Sequence, residues 1–190
     1  MFRLGRGAAG VTVIRKPGEG LQERYRVGTL KFGNGSLMMW GCFHAKNLGP
    51  LVLLRSIIDQ DKYITMLSNH AIPWIKSQCY IYNRDFIYQE DGAPIHTGNY
   101  VKWYKEKTTV TRFGTWPPNS PDLNPIEHIW GYLKLRVNKR SIGVTSIQKF
   151  EDIVRDEWSN IDTGYLEALV SSMPARCKAV IEAKGGNTRY

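Results

Sequence analysis

Three strand-like runs follow one another at the start of the chain, and no helical pattern separates them. They cover Val11 to Arg15, Leu37 to Phe43 and Leu51 to Leu54, and turn residues such as Pro17-Gly18 and Gly49-Pro50 bound them. Consecutive strands without a crossover helix pair antiparallel, because a parallel pair needs a long connection. The opening sheet is therefore predicted to be antiparallel, with the second and third runs as its hairpin.

Helical spacing replaces the strand pattern after residue 58. Asp59 or Asp61 can cap a helix, and Pro73 is expected to break or kink it. Further strands and helices alternate along the rest of the chain. The strands are predicted at Phe86–Gln89 and Thr109–Phe113, and helices at His96–Lys107, from Pro125, from Thr145, at Tyr165–Met173 and at Ala175–Lys184. This order predicts one mixed α/β domain over residues 1–190, with a helical C-terminal end.

Two of these helices carry recognisable start signals. Asn124 precedes Pro125, a pairing that suits an N-cap followed by the first helical residue. Thr145 and Gln148 have the spacing of a capping box. The positions predicted to face the core are Ile126, Ile129, Trp130, Leu133 and Val137 in the first helix, and Ile147, Phe150, Val154 and Trp158 in the second.

Composition excludes several classes of protein. Apolar residues make up 42% of the 190 residues and charged residues 23%, which is typical of a globular chain. Cys42, Cys79 and Cys177 are far apart and form no Cys-x-x-Cys pair, which disfavours a disulfide framework and a zinc knuckle. The longest apolar stretch, residues 48–58, is too short to span a bilayer. The N-terminus shows no secretory signal, so an intracellular, non-secreted protein is expected.

Net charge is the first positive indication of a partner. Lys and Arg total 26 against 17 acidic residues, which gives a net charge of +9. An excess of this size favours polyanions, chiefly nucleic acid, although charge that serves only solubility is the alternative. The residues with which we expect the chain to contact nucleic acid are Arg15, Lys16, Lys31, Lys134, Arg136, Lys139 and Arg140.

Two carboxylates stand where a phosphoryl-transfer site would need them. Asp91 ends an apolar strand just before Gly92, and Glu127 lies in the first turn of the helix from Pro125. Each has a simpler explanation, since Asp91 could cap its own turn and Glu127 could complete a capping box with Asn124. Carboxylate pairs of this kind hold Mg²⁺ or Mn²⁺, and a two-metal site normally needs a third acid. His96 and His128 are weaker candidates as metal ligands.

Two motifs resemble those of mariner-like DDE transposases. Residues 89–96, Gln-Glu-Asp-Gly-Ala-Pro-Ile-His, resemble the family's second-aspartate motif. Residues 116–130, from Trp-Pro-Pro through Pro-Asp-Leu-Asn-Pro to Trp130, resemble its third-acid motif. The strand at residues 35–43 and the tail at residues 172–186 are similar too.

The resemblance implies a ribonuclease H-like fold, with antiparallel strands first, then parallel strands, and helices on both sides. It also implies DNA transposition and integration by strand cleavage and transfer with two Mg²⁺ or Mn²⁺ ions, and Asp91 and Glu127 as ligands. The partners would be double-stranded DNA, as transposon ends and target, and a second copy in a homodimer. No membrane partner is expected. Location would be the nucleus in a eukaryote and the cytoplasm otherwise.

Two departures from the family bear on activity. No helix-turn-helix domain is expected before the catalytic region, and no acidic residue occurs before Glu19 in the sequence. The family's first catalytic aspartate and its opening strand are therefore expected to be missing, which leaves the chain catalytically incomplete. A non-catalytic nucleic-acid-binding relic is one alternative function. A metal-dependent phosphohydrolase using Asp91, His96, Glu127 and His128 is another.

Overall fold

The computed structural model describes residues 2–3, 36–54, 58–108, 110–111, 116–117, 120–186 and 188–190. The strand predicted over Val11–Arg15 lies outside the described residues, as do the basic residues Arg15, Lys16 and Lys31. Of the strand predicted over Thr109–Phe113, only residues 110 and 111 are described.

The described sheet has three antiparallel strands in the order β1-β2-β3. These are β1 (Phe2–Arg3), β2 (Ser36–His44) and β3 (Asn47–Leu54). The predicted hairpin is confirmed, because β2 pairs with β3 from Met38 opposite Leu54 to His44 opposite Asn47. β1 is two residues long and pairs with β2 only at Phe2 opposite Leu37 and Arg3 opposite Ser36, so the expectation that the family's opening strand is missing stays a prediction. Beyond this pairing, β2 continues along the wall of a cleft.

The predicted strand over Phe86–Gln89 is not formed as a regular strand. Only Tyr88 makes a bridge, through its N–H to the carbonyl oxygen of Thr111 at 2.8 Å. A strand requires repeated backbone pairing with a neighbour, and apolar residue types alone do not provide it. The parallel part of the predicted sheet is thus reduced to one bridge in the part of the chain that the structure describes.

Eight α-helices lie within the described residues. They are α1 (Gln60–Met66), α2 (Ile72–Tyr82), α3 (Pro94–Thr97), α4 (Asn99–Lys107), α5 (Ile126–Arg140), α6 (Ile147–Ser159), α7 (Thr163–Ser171) and α8 (Met173–Glu182). No helix among the described residues is both long enough and apolar enough to cross a membrane.

The helix expected to break at Pro73 continues through it with a change of pitch. Asp59 caps α1 by accepting the Lys62 N–H at 2.9 Å. A π-helical turn over Leu67–Ala71 then joins α1 to α2, and Pro73 lies in the first turn of α2. Proline has no N–H to donate, and wider π-turns are tolerated inside helices, so the chain passes Pro73 without a break.

The start of α6 lies one residue later than the capping-box pattern indicates. Ser146 is the cap and accepts the Lys149 N–H at 3.5 Å, while Gln148 bonds forward to Asp152 at 3.2 Å. Thr145 is therefore not the cap. Ile147, the first residue of α6, is 48% exposed, so the prediction that it faces the core is wrong, whereas Phe150, Val154 and Trp158 are buried as predicted.

Helices cover both faces of the β2–β3 hairpin. On one face, residues of β2 and β3 such as Met39 and Leu53 pack against the buried side chains of α5, α6 and α7, including Ile129, Phe150 and Leu166. On the other face, Trp40 and Val52 pack against the core of the α1–α2 segment and α4, which includes Tyr63, Leu67 and Val101. Because alternate residues of a strand point to opposite faces, one hairpin serves two cores. The result is a three-layer α/β domain.

Candidate active site

A cleft of about 480 Å³ brings together the two carboxylates that the sequence predicts. Its walls come from β2, from residues 86–91 and from the start of α5. Asp91 and Glu127, separated by 35 residues in the chain, both line it. His96 and Glu90 line it as well, whereas His128 does not belong to its lining.

Asp91 both caps its own turn and faces the cleft. Its Oδ1 accepts the Ala93 N–H at 3.1 Å and lies 2.7 Å from Nδ1 of His96. A carboxylate accepts only, so this nitrogen of His96 carries the proton. These bonds use Oδ1, while no described residue bonds Oδ2. The turn-cap explanation and the functional explanation are therefore compatible.

Glu127 is not part of a capping box. A capping box would require its carboxylate to accept the Asn124 N–H, but that N–H donates to the Pro121 carbonyl oxygen at 3.0 Å. Asn124 also gives no side-chain cap to α5, which begins after Pro125; its carbonyl oxygen accepts the Glu127 N–H at 3.1 Å. No described residue forms a hydrogen bond to the Glu127 carboxylate, which leaves it available to the cleft.

The negative charge of Asp91 acts on Glu127. The pKa of Glu127 is raised above its ordinary value, first by desolvation at the cleft wall and then by the negative charge of Asp91. Like charges close together disfavour ionisation, and a bound cation would relieve both effects. The pair thus has the electrostatic character of a cation site.

The chemistry of the donor set fits Mg²⁺ or Mn²⁺, although the number of ligands is small. Carboxylate oxygens are the ligands that these hard cations prefer. Among the described residues, no group of three or more His, Cys, Asp or Glu side chains is arranged to hold a metal ion. Asp91 and Glu127 would therefore supply only part of a coordination shell.

The two histidines hold different positions. His96 bonds Asp91 and stacks on Tyr63, with ring centroids 4.8 Å apart. His128 Nε2 lies 2.8 Å from Nη1 of Arg176, and because arginine can only donate, this nitrogen must accept. Burial, and then the charge of Arg176, lower the pKa of His128. His128 Nε2 is thus already engaged and unsuited to bind a metal.

Arg176 is a site neighbour that the sequence pattern does not indicate. It is 2% exposed and donates to the Asp122 carbonyl oxygen at 2.9 Å and to Ser172 Oγ at 2.7 Å. Its guanidinium also lies over the Tyr190 ring, 4.6 Å from the centroid. Arg176 therefore ties α8 and the C-terminal residues to the loop and helix start that carry Glu127.

Lys105 is a second buried basic residue near the site, beside the turn that carries Asp91. Lys105 is 3% exposed and forms an ion pair with Glu90. A sequence signal for its burial does exist, because Lys105 follows the inward-facing Val101 by one helical turn. Its partner could not be inferred from that spacing.

The four basic residues predicted on α5 to contact nucleic acid, Lys134, Arg136, Lys139 and Arg140, are of two kinds. Arg136 forms an ion pair with Glu157, and Arg140 pairs with Asp156 and, at 2.7 Å, with Glu157. Lys134 and Lys139 are exposed on the same helix. Two of the four nucleic-acid contacts predicted on α5 are thus engaged in holding α5 to α6.

Comparison with known proteins identifies the family. Residues 58–147 match the model of the DDE superfamily endonuclease family. The chain is 36% identical over 186 residues to the Tcb2 transposase of Caenorhabditis briggsae, and 35% identical over 185 residues to the Tc1 transposase of Caenorhabditis elegans. Each alignment covers 97% of this chain and 66% of the relative, so the chain spans about two thirds of their length.

Solved structures show the same fold. The catalytic domain of the Mos1 mariner transposase superposes with a TM-score of 0.64 at 15% identity, over 80% of this chain and 82% of that one. A pre-cleavage Mos1 transpososome gives a TM-score of 0.73 at 14% identity, over 99% of this chain and 54% of that one. The predicted α/β, ribonuclease H-like class is confirmed by this likeness. The chain therefore belongs to the DDE superfamily of endonucleases, as a homologue of the Tc1/mariner transposases.

Proposed function

We propose that this chain is the catalytic part of a DNA transposase, in which Asp91 and Glu127 bind divalent metal for DNA strand cleavage and transfer. The observation that carries the proposal is the shared cleft, in which desolvation, and then the charge of Asp91, raise the pKa of Glu127. Solved structures of the Mos1 catalytic domain with Mg and with Mn, at TM-scores of 0.68 and 0.64, support the choice of metal.

Each residue has a defined task in this proposal. Asp91 would bind the cation through Oδ2, since Oδ1 is held by Ala93 and His96. Glu127 would bind it from the start of α5. Divalent metal would supply the activation of water or a 3′-hydroxyl and the stabilisation of the leaving oxygen. Exposed lysines would hold phosphates without reading the sequence of the DNA.

We expect these 190 residues alone to cut DNA poorly. Asp91 and Glu127 provide two negative charges for two divalent ions, and the sequence contains no acid before Glu19. Glu90 does not replace a third ligand, because Lys105 and Tyr63 bond its carboxylate. Loss of a ligand misplaces the ions, and misplacement by about 1 Å can cost roughly a hundredfold in rate.

Nicking of supercoiled plasmid with Mg²⁺ or Mn²⁺ tests this expectation. The control is the Asp91→Ala, Glu127→Ala variant, and the chain should nick no faster than this control. Nicking that disappears in the control would show that two carboxylates suffice. A chain extended at its N-terminus by a strand that carries an aspartate should gain activity, and no gain would count against the transposase proposal.

The alternative functions differ in support. The incomplete ligand set also suits a non-catalytic DNA-binding protein, which would bind plasmid without nicking it in either form of the chain. The phosphohydrolase alternative is weaker, because Arg176 occupies Nε2 of His128. Nuclear location in a eukaryote and assembly as a homodimer stay predictions.

A further inference from the structure

Lys105 carries a positive charge in the interior of the domain. Its side chain is 3% exposed, and its ammonium group pairs with the Glu90 carboxylate. It also donates to the carbonyl oxygen of His96 at 3.0 Å. A buried charge is retained only where close partners compensate for the lost water, so these contacts define where the lysine must lie.

The second carboxylate oxygen of Glu90 is also hydrogen-bonded within the group formed by Lys105, Glu90 and Tyr63. Tyr63, which is 3% exposed, donates its hydroxyl to Glu90 Oε2 at 2.7 Å. Both carboxylate oxygens of Glu90 are thus bonded inside the protein. Glu90 is thus fully engaged in this group, whereas the next residue, Asp91, lines the cleft with no described residue bonded to its Oδ2.

Lys105 connects the two ends of the turn that carries Asp91. At the start of the turn it holds the side chain of Glu90, and at the end it holds the backbone of His96. His96 in turn donates from Nδ1 to Asp91 Oδ1 at 2.7 Å, and its ring is stacked on Tyr63. The position of the Asp91 carboxylate therefore depends on a residue 14 positions later in the chain.

We propose that Lys105 is a positioning residue for Asp91: by holding both ends of the 90–96 turn, it orients the carboxylate that faces the cleft. Where the consequence is metal binding, the inference rests on the proposed function. Residues behind a metal ligand commonly change metal affinity about 10- to 100-fold when replaced, because they set the ligand's orientation.

A purely structural role for the ion pair is the competing explanation, and three variants separate the two. Lys105→Met removes the ammonium group but leaves the charge of Glu90 buried, which is destabilising. Lys105→Met combined with Glu90→Gln removes both charges and keeps an acceptor for Tyr63. Val101→Ala, one turn earlier in α4 at a fully buried position, weakens the core without removing a hydrogen bond or an ion pair of the turn.

Two measurements are made on each folded variant. Mn²⁺ titration followed by electron paramagnetic resonance gives the metal affinity, and hydrogen exchange gives the protection of individual amides. The informative amides are those of Ala93, which donates to Asp91 Oδ1, and His96, which donates to the Ala93 carbonyl oxygen. Thermal unfolding records stability separately.

We expect the double variant to be more stable than Lys105→Met, yet to bind Mn²⁺ at least about tenfold more weakly than the unaltered chain. It should also lose protection at Ala93 and His96. Val101→Ala should lose stability but keep Mn²⁺ affinity and the relative protection of these amides. A double variant that recovers affinity and protection along with stability would overturn the proposal.

Failure of the proposed function would look different. If the unaltered chain binds no Mn²⁺ but the double variant still loses protection at Ala93 and His96, the metal assignment is wrong and the positioning role stands. If the unaltered chain binds Mn²⁺ and the double variant matches it in affinity and exchange, the positioning role is wrong and the metal assignment stands.

Discussion

Neighbouring carboxylates, Glu90 and Asp91, experience different surroundings although one peptide bond joins them. The negative charge of Glu90 is compensated by an ion pair with Lys105 and a hydrogen bond from Tyr63. Asp91 has one carboxylate oxygen that no described residue bonds, and its charge contributes to the raised pKa of Glu127. Charge next to like charge disfavours ionisation, and a compensating cation favours it. A bound cation would therefore compensate the negative charges of Asp91 and Glu127, whereas Glu90 already has a cationic partner in Lys105.

Replacement of Asp91 by Asn should lower the pKa of Glu127. The charge of Asp91 is the second cause of the raised pKa and desolvation is the first, so the pKa should move toward its ordinary value without reaching it. Carboxyl ¹³C shifts of Glu127, followed through a pH titration, measure this change. An unchanged or higher pKa in the variant would contradict the proximity of the two acids.

The same variant should alter the dependence of stability on pH. Because the pKa of Glu127 is higher in the folded chain than in the unfolded chain, its contribution to stability is complete below the unfolded pKa. This contribution is lost as pH rises through the folded pKa. Asp91→Asn should reduce that loss, and urea unfolding at several pH values would show it.

At the scale of elements, the position of α5 depends on a close approach to β2. Gly41 lies under the stacked rings of Trp130 on α5 and Trp158 on α6, whose centroids are 5.4 Å apart. A Cβ atom at Gly41 would lie 2.8 Å from Cη2 of Trp158. Trp158 is also held by its Nε1–H donation to the Gly49 carbonyl oxygen at 3.0 Å. The helix that carries Glu127 can lie this close because residue 41 has no side chain.

Replacement of Gly41 by Ala should therefore destabilise the domain by about 1–3 kcal/mol, as overpacking does in a dense core. Gly131→Ala is the matched control, because a Cβ atom there would meet nothing within 4 Å. Alanine in the middle of a helix is favoured over glycine by about 1 kcal/mol, so the control should be stabilised. Urea unfolding of both variants checks the contrast, and equal effects would show that residue 41 has room for a side chain.

At the scale of the whole molecule, the charge of +9 predicts DNA binding that depends on salt and not on sequence. Each phosphate contact contributes about −0.9 to the slope of log affinity against log salt concentration. Replacement of both Lys134 and Lys139 by Ala should make this slope shallower. Replacement of both Arg136 and Arg140 by Gln should chiefly lower stability, since Asp156 and Glu157 hold those side chains.

Fluorescence-anisotropy titrations with two unrelated duplexes, each at several salt concentrations, test both statements. Thermal unfolding of the two double variants completes the comparison. Binding that ignores salt would refute the electrostatic basis of the prediction. An equal change of slope in the arginine variant would show that its ion pairs open to DNA.

Local pattern determined much of the architecture. The β2–β3 hairpin follows from two apolar runs with a short connection, and the buried stripe of α5 follows from its helical spacing. Both depend on residues close in sequence. Asp91 and Glu127 could also be identified from the amino-acid sequence, because each is embedded in a distinctive motif, and the fold brings both to one cleft.

Only the tertiary structure decided which charges meet. Lys105 bonds Glu90, which lies 15 positions earlier in the chain, and Arg176 bonds His128, which lies 48 positions earlier. No rule of sequence spacing predicts such pairs. Long-range packing also decided that residues 86–89 form a single bridge, since a strand exists only where a neighbouring backbone pairs with it. The sequence alone thus determined most helices and strands and identified the two acids, while the fold determined which buried cations lie beside them. The reason is that a buried charge is stable only with close partners, and these partners come from distant parts of the chain.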